Sequence, residues 1–289
     1  MENVPFSAGH LGPASPVPSG ACDCHVHVYD ASYPAASGAK LLPPDASVSD
    51  YRQLQCRLGL SRVVLVTPST YGTDNRCMLS GLAALGSAAR GVAVIDGLES
   101  DLELSRLHEQ GVRGVRLNLS LGVSGCVDQL VSLAQRIASL GWHLQLLMPP
   151  DLLASKANVL RHLPVSLVFD HMGRISPAQT GIHPAHRLIL ELMESGHAWV
   201  KLSGGYIVSE QRSVEDPALD DLAASYLRAA PQRVLWGSDW PHATASAGMQ
   251  AMPDDARQVD RLSEWLKCTE GAPTLKQVLV DNPSALYGF

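Results

Sequence analysis

The feature that most limits the fold is a repeat of type rather than of sequence. Eight times the chain passes through a short apolar or β-branched run, then turn residues, then a longer amphipathic stretch. The short runs fall near 22–28, 62–67, 91–95, 112–117, 143–147, 166–170, 198–203 and 233–237. They are continuous and apolar, as strands buried on both faces are. The longer stretches fall near 48–59, 74–88, 99–110, 126–140, 151–162, 184–196, 217–230 and 255–268. Gly59, Gly111, Gly141 and Gly196 stand where four of these should stop. Alternating strands and helices pair in parallel through right-handed crossovers. Eight such units close a barrel of about 250 residues. An open doubly wound sheet would carry a Gly-rich phosphate loop after its first strand. Here that strand ends His25-Val26-His27. The expected fold is therefore α/β, a single-domain (β/α)8 barrel of the TIM type over residues 21–289. Residues 1–20 hold four prolines and no hydrophobic period, and read as an N-terminal tail.

Composition narrows the function by exclusion. Net charge is −6 and no Lys/Arg cluster tracks a phosphate backbone, so no nucleic-acid partner is expected. No apolar run is long enough to span a membrane, and the N-terminus lacks a signal-peptide pattern. The six cysteines show no zinc-ribbon or disulfide spacing and read as free thiols in a reducing, cytoplasmic setting. A homo-oligomer is compatible with this composition.

In barrels of this kind the chemistry sits at the carboxyl ends of the strands. There the sequence places His25 and His27 (strand one), Thr67, Ser69 and Tyr71 (two), Asp96 (three), Arg116 and Asn118 (four) and Gln145 (five). Asp170-His171 (six), Ser203 and Tyr206 (seven) and Ser238-Asp239 followed by His242 (eight) complete the set. Strand residues i and i+2 share a face. His25 and His27 should therefore project together and either grip a divalent metal or polarise a carbonyl. Asp239, held ionised by nearby imidazoles, is the expected general base. Arg116, inward on its strand, either holds a substrate carboxylate or pairs with a neighbouring Asp. Lys201 shares the face of Ser203 lower in the barrel, where a structural and a catalytic role are equally open. His10, His108, His162, His183, His186 and His197 read as solvated, and His143 as lying at the barrel's bottom.

Several of these residues sit in motifs that recur in order. They are Cys22-Asp23-Cys24-His25-Val26-His27, Tyr71-Gly72-Thr73-Asp74-Asn75 and Gly111-Val112-Arg113-Gly114-Val115-Arg116. Asp170-His171, Lys201-Leu202-Ser203-Gly204, Trp236-Gly237-Ser238-Asp239-Trp240-Pro241-His242 and Asp281-Asn282-Pro283 follow. The set resembles the amidohydrolase superfamily. More narrowly, it resembles the branch holding 2-pyrone-4,6-dicarboxylate lactonase, 4-sulfomuconolactonase and D-galactarolactone isomerase. The resemblance implies a small anionic lactone as substrate and Asp239 as the residue activating water. It implies His25, His27 and His171 around the lactone carbonyl and Arg116 on a substrate carboxylate. Thr67, Ser69, Tyr71, Gln145 and Tyr206 would line the pocket.

Two departures from the superfamily pattern sharpen the expectation. Members with two metals carry a bridging Lys or Glu on strand four and a His on strand five, where this chain has Arg116 and Gln145. A cationic Arg in the mouth opposes a nearby divalent cation. No cofactor is therefore expected to be required. The alternative is one zinc or manganese ion on His25, His27, His171 and Asp239. Second, Ile207 follows Tyr206 where related sequences often carry Arg, and Ser120 and Gly122 supply no second Arg after Arg116. A sugar-acid lactone with one carboxylate would then suit Asn75, Asn118, Gln145, Ser203 and Tyr206, with His242 near the pocket. Hydrolysis is the expected reaction, lactone isomerisation at the same site the first alternative, and metal-dependent hydrolysis or decarboxylation the second.

Overall fold

The computed structural model describes residues 4–120 and 127–289. Eight parallel strands follow one another in sequence order: β1 Cys22–Val26, β2 Arg62–Val66, β3 Ala89–Ala93, β4 Val112–Asn118, β5 His143–Leu147, β6 Leu167–Phe169, β7 Ala198–Leu202 and β8 Val234–Trp236. Between and after them lie α1 Val48–Leu58, α2 Arg76–Leu85, α3 Asp101–Glu109, α4 Leu130–Ala138, α5 Pro150–Ser155, α6 Ala157–Leu160, α7 Pro184–Glu194, α8 Gly205–Val208, α9 Leu219–Ala229, α10 Ala243–Ser246, α11 Asp255–Cys268 and α12 Asn282–Tyr287. The fold is the (β/α)8 barrel. Serine caps set two of the helix starts, Ser47 with Asp50 and Ser100 with Glu103, each side chain bonding the other's backbone N–H. Gly59 ends α1 at φ 74 in the left-handed region, as its position in the sequence suggests.

The apolar residues divide by strand alternation into two cores. Val63, Leu65, Val115, Leu144, Leu146, Phe169 and Val200 face the helices. Cys22, Cys24, Val64, Val66, Val92, Val168, Trp199 and Leu235 fill the barrel interior. Strict alternation along β1 would separate Cys22 and Cys24 from His25 and His27. A register slip between Asp23 and Val26 resolves this. It lets the cysteines pack below and the imidazoles project above. The five described cysteines are free, and Cys126 lies outside the described residues.

Closure between β8 and β1 places the catalytic candidates. Asp239 N–H donates to His25 O, and His27 N–H to Trp240 O, each at 2.9 Å. Asp23 accepts from Ser238 N at 2.9 Å and from Ser238 Oγ at 2.6 Å. Burial pushes the Asp23 carboxyl up to about 7, against the pull of those bonds. Gly237 permits this seam, because a Cβ there would lie 2.6 Å from His25 Cβ and 2.8 Å from its backbone N.

Three local expectations change. The stretch read as one helix over 151–162 breaks into α5 and α6 at Lys156. β3 stops at Ala93 rather than 95, because Val94 N–H donates to Asn75 Oδ1 instead of continuing the ladder. The residues read as a tail lie against the barrel from Val4 onward. Phe6 packs edge-on to Trp240, Trp240 Nε1 donates to Pro5 O, and Arg57 Nη2 donates to Ser7 Oγ.

His186 was expected in solvent and is instead buried. Its Nδ1 accepts from Gly181 N–H and its Nε2 pairs with Ser225 Oγ, both at 2.9 Å. Burial lowers its pKa to about 4. Between the unfolded value near 6.5 and that depressed value, the unfolded chain binds a proton the folded chain refuses. Folding stability from this group is therefore complete above the unfolded value and declines as pH falls toward 4. Glutamine can accept and donate without titrating. The stability advantage of the native chain over His186→Gln, read from urea unfolding, should be smaller at pH 5 than at pH 7.5. A difference that does not change with pH would refute the assignment.

Candidate active site

The carboxyl ends of the strands open into a cavity of about 230 Å³. His27, Arg116, His171 and Asp239 line it, together with Ser69, Asn118, Tyr29, Lys40, Arg174 and Ile207 among others. Asp239 Oδ1 sits 3.6 Å from His25 Nε2 and 3.8 Å from both His27 Nε2 and His171 Nε2. Imidazoles from β1 and from the end of β6 therefore converge with the carboxylate that follows β8. Asp239 adopts φ 69, and His171, Met172, Gly173 and Arg174 all lie at positive φ. Backbone strain of this kind gathers at functional sites, and here it sits where three of the lining side chains are presented. Gly204 leaves room for one of them, since a Cβ there would meet His171 Nδ1 at 2.7 Å.

Charge in the cluster is well defined. Burial raises the Asp239 pKa, but His171, His25 and His27, with the Tyr206 hydrogen bond, outweigh it and hold the carboxyl at about 2. Burial, then the Arg116 charge, lowers His27 to about 4. Burial also lowers His25 and His171. At neutral pH the site is a carboxylate facing three uncharged imidazoles. His27 Nδ1 lies 2.7 Å from Val66 O, which can only accept, so the ring proton is there and Nε2 is bare. His27 thus accepts hydrogen bonds in the cavity and does not polarise a carbonyl by donation, contrary to the expectation for it.

A polar layer lies beneath. Asp170 Oδ2 accepts from Arg116 Nε and Gln145 Nε2, each at 3.1 Å, and Lys201 Nζ donates to Gln145 Oε1 at 2.7 Å. Burial opposes ionisation of Asp170, but His25, Lys201 and Arg116 hold it well below the usual range. Arg116 therefore takes one of the two roles the sequence left open, pairing with Asp170, and also lines the cavity. On the other side, Tyr206 Oη donates to Asp239 Oδ2 at 2.6 Å and meets His242 Nδ1 at 3.0 Å. His242 Nε2 lies 3.1 Å from Asp255 Oδ2, and that carboxylate raises His242's pKa against burial. The Tyr206 bond occupies Oδ2 and leaves Oδ1 facing the cavity.

Not all the expected substrate contacts reach the cavity. Thr67 Oγ1 donates to Asn75 Oδ1 at 2.7 Å, and Asn75 Nδ2 to Val94 O, so both serve the β2–β3 seam on the helix side. Tyr71 Oη is taken by the backbone of Asp30. Gln145 and His242 are fully buried beneath and behind the site, and Ser203 Oγ holds His171 Nδ1 at 3.0 Å. Ser69 does line the cavity, where it accepts from Asn118 Nδ2 at 2.7 Å. The sequence reading missed Asp170 as the centre of the buried layer and Arg174 at the cavity. Arg174 lies three residues after His171, and among the described residues nothing pairs with its guanidinium. The Asp-His-x-x-Arg spacing was the available signal. Its use depended on the positive-φ loop, which sequence periodicity does not reveal.

The donor atoms suit a cation in part. His25, His27 and Asp239 offer ligand atoms within 4.8 Å of one another, and nitrogen–carboxylate sets of this kind suit zinc or manganese. The bare Nε2 of His27 fits such a role. His25 fits it only if its ring proton lies on Nδ1.

A parallel eight-stranded barrel with an imidazole–carboxylate cluster at the carboxyl ends of its strands defines an enzyme of the hydrolytic barrel class. The amidohydrolase family model matches residues 22–289, and the chain belongs to that family. It is 35% identical to the 2-pyrone-4,6-dicarboxylate hydrolase of Comamonas testosteroni, over 96% of this chain and 94% of that protein. It is 31% identical to the D-galactarolactone isomerase of Agrobacterium fabrum, over 99% and 97%. Among solved structures, an Acinetobacter baumannii protein with bound citric acid, described as a probable 2-pyrone-4,6-dicarboxylic acid hydrolase, superposes with a TM-score of 0.79. It is 25% identical, over 93% of this chain and all of that one. Among the described residues, no helix is long and apolar enough to cross a membrane.

Proposed function

We propose that the chain hydrolyses a small lactone bearing carboxylate groups, with Asp239 as general base. The observation that carries this is Asp239 Oδ1 facing three uncharged imidazoles in a cavity lined by the cations Arg116 and Arg174 together with the exposed Lys40. Water beside Oδ1 attacks the lactone carbonyl and gives its proton to Asp239. The oxyanion accepts from imidazole N–H groups of His25 and His171, with the Arg116 charge nearby; stabilisation of this kind is often the largest catalytic contribution. Collapse of the tetrahedral intermediate breaks the ring C–O bond, and Asp239 returns the proton to the alkoxide. The product hydroxy acid ionises and releases one proton to solvent. The Tyr206 hydrogen bond to Oδ2 weakens Asp239 as a base, so the proton moves only as the oxyanion forms, and the donors carry much of the barrier lowering.

Arg174 revises the substrate expectation. Arg116 alone favoured one carboxylate, and the second cation makes room for another. The relatives named for a pyrone dicarboxylate and a sugar-acid lactone, and the neighbour holding citric acid, support a substrate of this charge. The purified protein should release acid from lactones carrying carboxylates, in a pH-indicator assay, and leave uncharged lactones of similar size nearly untouched. Turnover in ¹⁸O-water that leaves no label in the product would assign isomerisation instead.

The closeness of the ligand atoms of His25, His27 and Asp239, all within 4.8 Å of one another, favours one second reading. A divalent ion on His25, His27, His171 and Asp239 would act as a Lewis acid and lower the pKa of bound water. The protein's own groups complete the steps above, so chelator-treated enzyme should keep its kcat within about twofold. Loss of activity restored by zinc or manganese would assign the four side chains to a metal centre.

A further inference from the structure

Lys201 is a fully buried amine to which the reaction above gives no task. Its Nζ lies 3.3 Å from His25 Nδ1 in hydrogen-bonding geometry. Asp170 Oδ1 lies 3.2 Å from the same nitrogen and 3.6 Å from Lys201 Nζ, as an ion-pair partner of both, but among the described residues it is in hydrogen-bonding geometry with neither. An ammonium can only donate, so with Lys201 charged beside the Asp170 carboxylate the bond runs from Nζ to Nδ1 and the His25 proton lies on Nε2.

A second, independent chain of bonds requires the same tautomer. The Val66 carbonyl fixes the His27 proton on Nδ1, leaving His27 Nε2 able only to accept. His25 Nε2 lies 3.3 Å from it in hydrogen-bonding geometry. One of these two nitrogens must carry a proton, and it is His25's. A single directed chain results: Lys201 to His25, His25 to His27, His27 to the β2 backbone.

We propose that Lys201 is the positioning residue that sets His25 as a hydrogen-bond donor and thereby withholds it from a metal ion. The proposal deepens the lactonase reading and rests on it for the use of that donor. A His25 protonated on Nε2 gives that N–H to His27 in the resting site and can turn it to a developing oxyanion by releasing that bond. The same proton blocks the nitrogen from binding a cation. Without Lys201 only the neutral bond to His27 would hold the proton on Nε2, and a charge-assisted bond to Asp170 Oδ1, 3.2 Å from Nδ1, would outcompete it and draw the proton to Nδ1. Nε2 would then be bare, oriented by a carboxylate as metal-binding histidines commonly are.

The test is spectroscopic. Chelator-treated protein carrying ¹⁵N-histidine is examined by long-range ¹H–¹⁵N correlation, with His25 assigned by its disappearance in His25→Gln. The wild-type spectrum should show His25 protonated on Nε2. In Lys201→Met, an apolar replacement of similar length, the proton should move to Nδ1. Zinc affinity, measured by competition with a chromophoric chelator, should rise about ten- to a hundredfold, the scale on which groups supporting a metal ligand act. A wild-type His25 protonated on Nδ1 overturns the proposal, and needs no variant to fold. So does a well-folded Lys201→Met whose His25 tautomer is unchanged. If the tautomer behaves as stated but no lactone is opened, the functional reading fails and the assignment of Lys201 stands.

Discussion

Asp239→Asn should lower kcat about a thousand- to ten-thousandfold, the upper range for a positioned general base, while leaving the fold intact. The reason to expect a folded variant is local. Asp239 adopts φ 69, a region that asparagine tolerates better than most residues. The asparagine oxygen can still accept from Tyr206 Oη, now 2.6 Å from Oδ2. What disappears is the basic oxygen facing the cavity. The variant should unfold at a slightly lower temperature than the native enzyme, because a carboxyl held below its unfolded value contributes stability at neutral pH that an amide lacks. Single-turnover kinetics with a carboxylated lactone, alongside a thermal melt, check both parts. Near-native kcat in a folded variant would remove Asp239 from the chemistry and, with it, the hydrolytic steps set out above.

The sequence shows the barrel clearly because its evidence is periodic. Eight apolar runs separated by helical stretches leave few topologies, and all eight strands lie where those runs do, shortened at β6 and β8. The site was legible where it depends on strand ends: His25, His27, His171, Asp239 and Arg116 converge. It was illegible where direction depends on one backbone irregularity. Thr67 comes one residue after Val66, which faces the barrel interior, and so turns to the helices and bonds Asn75. The slip in β1 decides that His25 and Cys24 both reach the interior, and no alternation rule contains it. The left-handed run over 171–174 brings Arg174 to the cavity. Asp170 was read as a neighbour of His171 rather than a centre, because its four partners come from β1, β4, β5 and β7 and only closure of the barrel assembles them.

Arg116 and Arg174 should separate binding from chemistry when each is replaced by methionine. Among the described residues Arg174 has no hydrogen-bond or ion-pair partner, so its replacement should remove mainly a substrate contact. A hydrogen bond to a charged group is worth about 1.5–3 kcal/mol. KM for a carboxylated lactone should therefore rise roughly ten- to a hundred-and-fiftyfold, with kcat little changed, the pattern of an interaction equal in ground and transition states. Arg116 differs because its Nε also holds Asp170 at 3.1 Å. Its removal leaves a buried carboxylate supported by Lys201, Gln145 and His25, and breaking a buried pair costs about 3–5 kcal/mol. The remaining partners place the expected loss at the low end, about 3 kcal/mol. Arg116→Met should thus raise KM, lower kcat through the disturbed His25–Lys201 layer and reduce stability together. The control is an uncharged lactone: its slow turnover should be indifferent to Arg174→Met. If the uncharged and the carboxylated lactone lose activity equally in that variant, Arg174 does not read substrate charge. The preference for a second carboxylate would then have to come from elsewhere in the cavity.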